Sequence, residues 1–235
     1  MAKLYFRFGT MNSGKSIDLL KVYHNYLELN KRAVVLAPSL DTRSGGKIKA
    51  RIKGMEAPAI QVHAGDNMLE LVVADAKRQE RAAQKALAAA AVPSAPSVPS
   101  APDEIVDADT ATDALSTAGA LATVDVVLVD EAQFLTHAQV EQLAQLVDRY
   151  NVVVIAYGLK TTFKGTLFEG SEALLILADK IEEIKTLCAF CEHKATMHVL
   201  RQGNAYKEEG DDVFIGDTEF LSVCRRHRYE LLGHY

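Results

Sequence analysis

The stretch Leu4-Tyr-Phe-Arg-Phe8-Gly9-Thr10-Met11-Asn12-Ser13-Gly14-Lys15-Ser16-Ile17 decides the fold class. Leu4–Phe8 is a short aromatic and aliphatic run with strand character. Gly9–Ser16 follows as G-x-x-x-x-G-K-S, in which glycines let the backbone wrap a phosphate so that successive N–H groups point inward. Ile17, Leu20, Tyr23 and Leu27 then recur at a helical period. Arg32–Ala37, carrying Val34, Val35 and Leu36, is a continuous apolar strand stopped by Pro38. Strand, loop, helix and strand in this order predict an α/β fold: a parallel sheet of P-loop nucleotide-hydrolase type, flanked by helices. The helix behind the loop adds partial positive charge. Lys15 is placed to reach the β- and γ-phosphates, and the Ser16 hydroxyl to bind Mg²⁺. An ordinary Gly-Lys turn is the bland alternative; the loop's place between a first strand and a helix argues against it.

Further along, Asp66 can cap a helix running from about Asn67 to near Ala90. Four of the six prolines fall between Pro93 and Pro102. Such a segment cannot bury enough surface to offset its ordering entropy, so about 90–123 reads as a flexible Ala/Pro-rich insertion. Within it, acidic and Ala-rich Asp103–Thr123 has the composition for a short helix. Order resumes at Val124. Val126–Val129 reads as a buried strand ending in Asp130-Glu131, Thr136-His-Ala-Gln139 as a capping box opening a helix to about Tyr150, and Val152–Ala156 as the next strand. Thr161–Gly170 is a loop, Ser171–Asp179 a helix and Lys180–Leu187 a strand.

The acid pair is the second chemical motif. An acid directly after a buried parallel strand lies at the sheet edge where ligands bind. Asp130 is thereby a candidate holder of Mg²⁺ through water, and Glu131 a candidate general base. The third motif is Cys188-Ala-Phe-Cys191 with Cys224-Arg-Arg-His227, the two pairs separated by 32 residues. Two such pairs supply four ligands with the bite that tetrahedral zinc prefers, and four protein ligands make the zinc structural. All three cysteines are consumed; three unrelated buried thiols are the alternative. His24, His63, His137, His193, His198 and His234 form no ligand spacing and read as solvated or packing residues.

The bulk numbers set limits. A net charge of −5 and a pI of about 5.8 argue against a broad nucleic-acid surface. No apolar run reaches the ~18 residues of a membrane span, and the N-terminus reads as a strand rather than a signal peptide. Together these predict a cytoplasmic protein.

The motifs resemble, in order, those of type II (cellular-type) thymidine kinases, in the bacterial form. They are Gly9–Ser16, Asp41-Thr-Arg43, Asp130-Glu-Ala-Gln-Phe134, Tyr157-Gly-Leu-Lys-Thr-Thr-Phe163, Leu167-Phe-Glu-Gly-Ser171, the Cys188/Cys191 pair and Ser222-Val-Cys-Arg-Arg-His227. The resemblance covers about 1–70 and 124–230. It implies a P-loop kinase domain over 1–187 and a small zinc lobe over 188–235, whose "lasso" loop covers the nucleoside. It implies ATP, Mg²⁺ and structural Zn²⁺, thymidine as acceptor, inhibition by thymidine triphosphate and a homotetramer. Carried onto matching positions, Gly9, Thr10, Met11, Asn12, Ser13, Gly14, Lys15, Ser16, Arg43, Asp130, Glu131, Ala132 and Gln133 belong to the nucleotide site. Glu131 takes the proton of the 5′-hydroxyl, and Arg43 lies near the transferring phosphate. Met11 and Leu159 flank the thymine methyl group. Phe134, Phe163 and Phe168 wall the nucleoside pocket, with Phe214, Ile215, Gly216 and Phe220 on the lasso. Plain core packing is the alternative for the aromatics.

Two features depart from the family pattern: Phe220 stands where a tyrosine is usual, and the Pro93–Pro102 insertion is unusual. Two other readings stay open at this level. A P-loop ATPase or helicase fits Asp130-Glu-Ala-Gln, although the chain has no room for a second motor domain. A zinc-ribbon nucleic-acid module fits Cys188–His227 with Arg225, Arg226 and Arg228, against the acidic total.

Overall fold

A computed structural model of the chain describes residues 1–39, 46–50, 54–90, 110–208 and 219–234. The elements run β1 (Leu4–Gly9), α1 (Lys15–Glu28), β2 (Ala33–Pro38), β3 (Lys47–Lys49), β4 (Glu56–Pro58), β5 (Ile60–Val62), α2 (Met68–Ala90) and α3 (Thr110–Leu121). They continue with β6 (Val126–Val129), α4 (His137–Tyr150), β7 (Val153–Gly158), α5 (Glu169–Leu177), β8 (Lys180–Ile184), β9 (Met197–Gln202), β10 (Ala205–Lys207), β11 (Glu219–Val223) and α6 (Arg225–Leu232). Six strands make one sheet in the order β5-β2-β6-β7-β1-β8, and every neighbouring pair is parallel.

Alternation along the strands decides what covers each face. Leu4 and Phe6, Val34 and Leu36, Val127 and Val129, and Val154 and Ala156 point to one side, where Met68 and Val72 of α2, Val140 and Leu143 of α4 and Leu174 of α5 meet them. Val35, Val126, Leu128, Ile155 and Tyr157 point to the other, against Leu19, Leu20 and Tyr23 of α1 and against Ile48 and Ala57 of the β3–β4 hairpin. With both faces covered, the central strands are near-continuous apolar runs, as a parallel sheet requires.

Helix α2 starts one step later than expected. The Asn67 side chain, not that of Asp66, accepts the Leu69 and Glu70 N–H groups, while Asp66 accepts from His63 N–H. The Thr136–Gln139 capping box forms as read from the sequence. The short helix allowed in Asp103–Thr123 is α3, and its end joins the core through Ala120 and Leu121. The proline stretch Pro93–Pro102 lies outside the described residues. Among the described residues no helix is long and apolar enough to cross a membrane. A second, antiparallel sheet, β10-β9-β11, precedes α6. Val199 and Val223 from this sheet pack with Cys188 in a small core of their own.

Candidate active site

The sheet order puts the carboxyl ends of β1, β7 and β6 side by side, so Gly9, Gly158 and Asp130 share one edge. The loop after β1 needs backbone freedom at Gly14, which sits at φ +90° as the cap of α1. At Gly9 a β-carbon would lie 2.8 Å from the Ile184 carbonyl oxygen, closer than a side chain tolerates. Lys15 is buried at the first turn of α1 and donates from Nζ to Thr10 O at 3.0 Å. Burial lowers its pKa, and the carboxylates of Glu131 and Asp130 work to keep its charge.

Ser16 Oγ donates to Asp130 Oδ2 at 3.0 Å. The other Asp130 oxygen, Oδ1, is buried without a partner. Burial and the Glu131 carboxylate push Asp130 up to about 7. A buried acid with one orphaned oxygen beside a serine hydroxyl has the donor set of a hard divalent cation.

Glu131 adopts φ +47°, a left-handed conformation strained for a residue with a side chain. The short turn that follows, Ala132–Phe134, is wedged against α5. A β-carbon at Gly170 would lie 2.5 Å from Ala132 O and 2.7 Å from Leu135 O. Gln133 is almost fully buried. Its Nε2 donates to Glu131 Oε2 at 2.6 Å, and its Oε1 accepts Leu159 N–H at 3.0 Å. Ser171 Oγ donates to Leu159 O at 2.5 Å.

Met11, Lys15, Ser16, Glu131 and Leu159 line one open cleft, together with Asn12, Gly14 and Ile17. The structure therefore brings the loop, the acid and the two residues expected at a methyl group to one place. It also brings Lys49 and Ala50, from the β3–β4 hairpin, which the sequence reading did not name. The aromatics form two pairs. Phe134 and Phe168 meet edge-on at 5.6 Å between ring centres, and Phe163 and Phe220 lie 6.2 Å apart. Phe163 is 2% exposed. Ser222 Oγ donates to Met11 O at 2.6 Å, fastening β11 to the loop. Arg43, Phe214, Ile215 and Gly216 lie outside the described residues.

His198, read earlier as a solvated or packing residue, is buried in β9 opposite Ser222 and meets Phe220 edge-on at 6.2 Å. Burial, with the charges of Lys15 and Arg228, lowers its pKa to about 4, so the ring is neutral. No local signal marks it; only the pairing of β9 with β11 turns it toward the loop.

The ligand atoms of Cys188, Cys191, Cys224 and His227 all lie within 4.8 Å of one another. Cys191 and Cys224 sulfurs are 3.9 Å apart, and His227 Nδ1 is 3.3 Å from Cys224 Sγ and 3.4 Å from Cys188 Sγ. Burial opposes ionisation of Cys188, but N–H groups of Cys224 and Phe190, with Cys191 and His227, bring it down to about 6. Three thiols and an imidazole at this spacing can hold a tetrahedral zinc ion.

A family model described as "Thymidine kinase" matches residues 2–87 and 88–228. The chain belongs to the thymidine kinase family. Its relatives include proteins named thymidine kinase from Lactococcus lactis subsp. lactis (strain IL1403), 40% identical over 232 residues and 98% of each chain, and from Streptococcus pyogenes serotype M28 (strain MGAS6180), 38% identical over 231 residues, 97% of this chain and 98% of the relative. Among solved structures, the Pif1 helicase from Candida albicans is similar at a TM-score of 0.36 and 12% identity, over 78% of this chain. The chain spans 36% of that helicase, a likeness too distant to bear on function. Membership of the thymidine kinase family is what the motif order implied.

Proposed function

We propose that this chain transfers the γ-phosphoryl group of ATP to the 5′-hydroxyl of thymidine, giving thymidine monophosphate and ADP for nucleotide salvage. The observation that carries the reading is the single cleft in which Lys15, Ser16 and Glu131 face Met11 and Leu159, in a chain of this family. Phosphoryl transfer is mostly positioning and charge stabilisation. Backbone N–H groups of Gly9–Ser16 and the Lys15 ammonium hold the triphosphate, with Lys15 leaving Thr10 O to reach it. Ser16 and Asp130 would hold Mg²⁺, and the ion would supply charge neutralisation to the triphosphate; the orphaned Asp130 Oδ1 and its raised pKa are what such a cation would relieve. Glu131 accepts the proton of the 5′-hydroxyl as that oxygen attacks.

Met11 and Leu159 flank the thymine methyl group, a contact worth only ~1–3 kcal/mol of discrimination. Phe134, Phe163, Phe168 and Phe220 wall the nucleoside. Phe220 keeps the ring of the usual tyrosine without its hydroxyl. Arg43 acts near the transferring phosphate, and Phe214, Ile215 and Gly216 belong to the covering loop. Cys188, Cys191, Cys224 and His227 hold zinc structurally, in a lobe over 188–235 beside the kinase domain of 1–187. Feedback by thymidine triphosphate, a homotetramer and a cytoplasmic location complete the reading.

The deciding assay follows ATP-dependent phosphorylation across the four deoxynucleosides and deoxyuridine. Thymidine as the preferred acceptor is the expected result. ATP hydrolysis without phosphorylation of any nucleoside sinks the reading.

A further inference from the structure

The candidate base is held by a neighbour with a chemical task of its own. Gln133 is 2% exposed, and both ends of its amide are engaged. Leu159 N–H can only donate, so the atom 3.0 Å from it is the amide oxygen, and the NH₂ group faces Glu131 Oε2 at 2.6 Å. The amide fills the space above Gly158, where a β-carbon would sit 2.8 Å from Gln133 Oε1. The side chain has no freedom to turn toward a phosphate without abandoning Leu159.

Glu131 needs such a hold. Its carboxylate and that of Asp130 both act electrostatically on Lys15, the one buried ammonium of the loop. A Glu131 side chain free to rotate would be drawn onto Lys15, and both groups would then be engaged with each other rather than with substrates. The amide donor offers a competing partner and fixes one carboxylate oxygen, on a side chain that lines the cleft.

We propose that Gln133 is a positioning residue for phosphoryl transfer: its amide aims the Glu131 carboxylate and ties that aim to the backbone of Leu159. Leu159 is itself held by Ser171 and lines the cleft. The acceptor nucleoside and the base that deprotonates it are thereby registered through one side chain. The inference rests on the role proposed for Glu131, and it gives Gln133 a function distinct from contact with the nucleotide.

The test measures kcat and the KM values for ATP and thymidine between pH 5.5 and 8.5, using the full-length protein with Gln133→Met and Gln133→Glu. Gln133→Met keeps the volume and removes both hydrogen bonds. A kcat reduced about 10- to 100-fold with the KM for ATP changed less than about threefold is expected, the signature of lost orientation. Gln133→Glu keeps the acceptor for Leu159 and removes the donor at neutral pH. On acidification the introduced carboxyl group takes up a proton and donates again, so the kcat ratio of variant to wild type rises as pH falls. Gln133→Met shows no such recovery. A raised KM for ATP with kcat intact makes Gln133 a nucleotide ligand and overturns the proposal. A pH-independent loss in Gln133→Glu also overturns it, and this readout stands even if Gln133→Met does not fold. Glu131→Gln is run alongside: full turnover there removes the base itself and the proposal with it, whereas loss in Glu131→Gln with full turnover in both Gln133 variants refutes the positioning role alone.

Discussion

At the scale of single residues, the site is a set of groups each held away from its easiest state. Glu131 sits at positive φ, Asp130 is buried beside a second carboxylate, and Lys15 is buried against a carbonyl. For Glu131→Gln, which preserves shape and removes the proton acceptor, turnover falls by about 10²- to 10⁴-fold while ATP affinity is unchanged; steady-state kinetics with nucleotide titration checks both. His198 gives a prediction in pH. Its ordinary value is about 6.5 and its folded value about 4. Between these, the unfolded chain binds a proton that the folded chain refuses, so this group's contribution is complete above pH 6.5 and is lost as pH falls toward 4. The loss reaches on the order of 3 kcal/mol by pH 4. Thermal unfolding of His198→Gln therefore varies less between pH 6.5 and 4.5 than that of the wild type.

At the scale of elements, two tests separate a helix from the turn it supports. Thr136→Ala removes the side-chain half of the α4 capping box and costs about 1 kcal/mol in denaturant unfolding, with kinetics preserved. Gly170→Ala places a methyl group on the carbonyls of Ala132 and Leu135. It lowers stability and turnover together, because the turn that moves carries Glu131 and Gln133. A variant with normal turnover would show that this turn adapts without cost.

The same scale shows what was legible in the sequence. Val126–Val129 and the capping box stood out because a buried parallel strand and a helix start are written in consecutive residues. The β3–β4 hairpin was not legible. Lys47–Lys49 and Glu56–Pro58 each turn one apolar residue inward, Ile48 and Ala57, too few to show a period, and their three-residue pairing depends on packing beneath α1. Lys49 entered the cleft unannounced for that reason. The Glu131–Gln133–Leu159 linkage was equally silent, because it joins β6 to β7 by hydrogen bonds that leave no mark on spacing.

At the scale of the whole molecule, the Cys3His cluster closes the antiparallel sheet, and that sheet reaches the phosphate loop through Ser222 and Met11. Cys224→Ser is expected to bind less than half the zinc of the wild type by elemental analysis. The same variant melts at a lower temperature and has a higher KM for thymidine. Equal metal content would refute four-ligand binding.

The order of strands also sets a schedule for synthesis. Among the described residues β1 pairs only with β7 and β8, so Leu4–Gly9 leaves the ribosome well before its partners and finds none in the sheet until Val153–Ile184 have followed. At ~5–20 residues per second the interval is roughly ten to thirty seconds. Throughout it the apolar Leu4-Tyr-Phe-Arg-Phe8 stretch is an unpaired strand in a crowded cell. The segment that carries the nucleotide grip is thus the nascent chain's early exposure to chaperones and to misassociation.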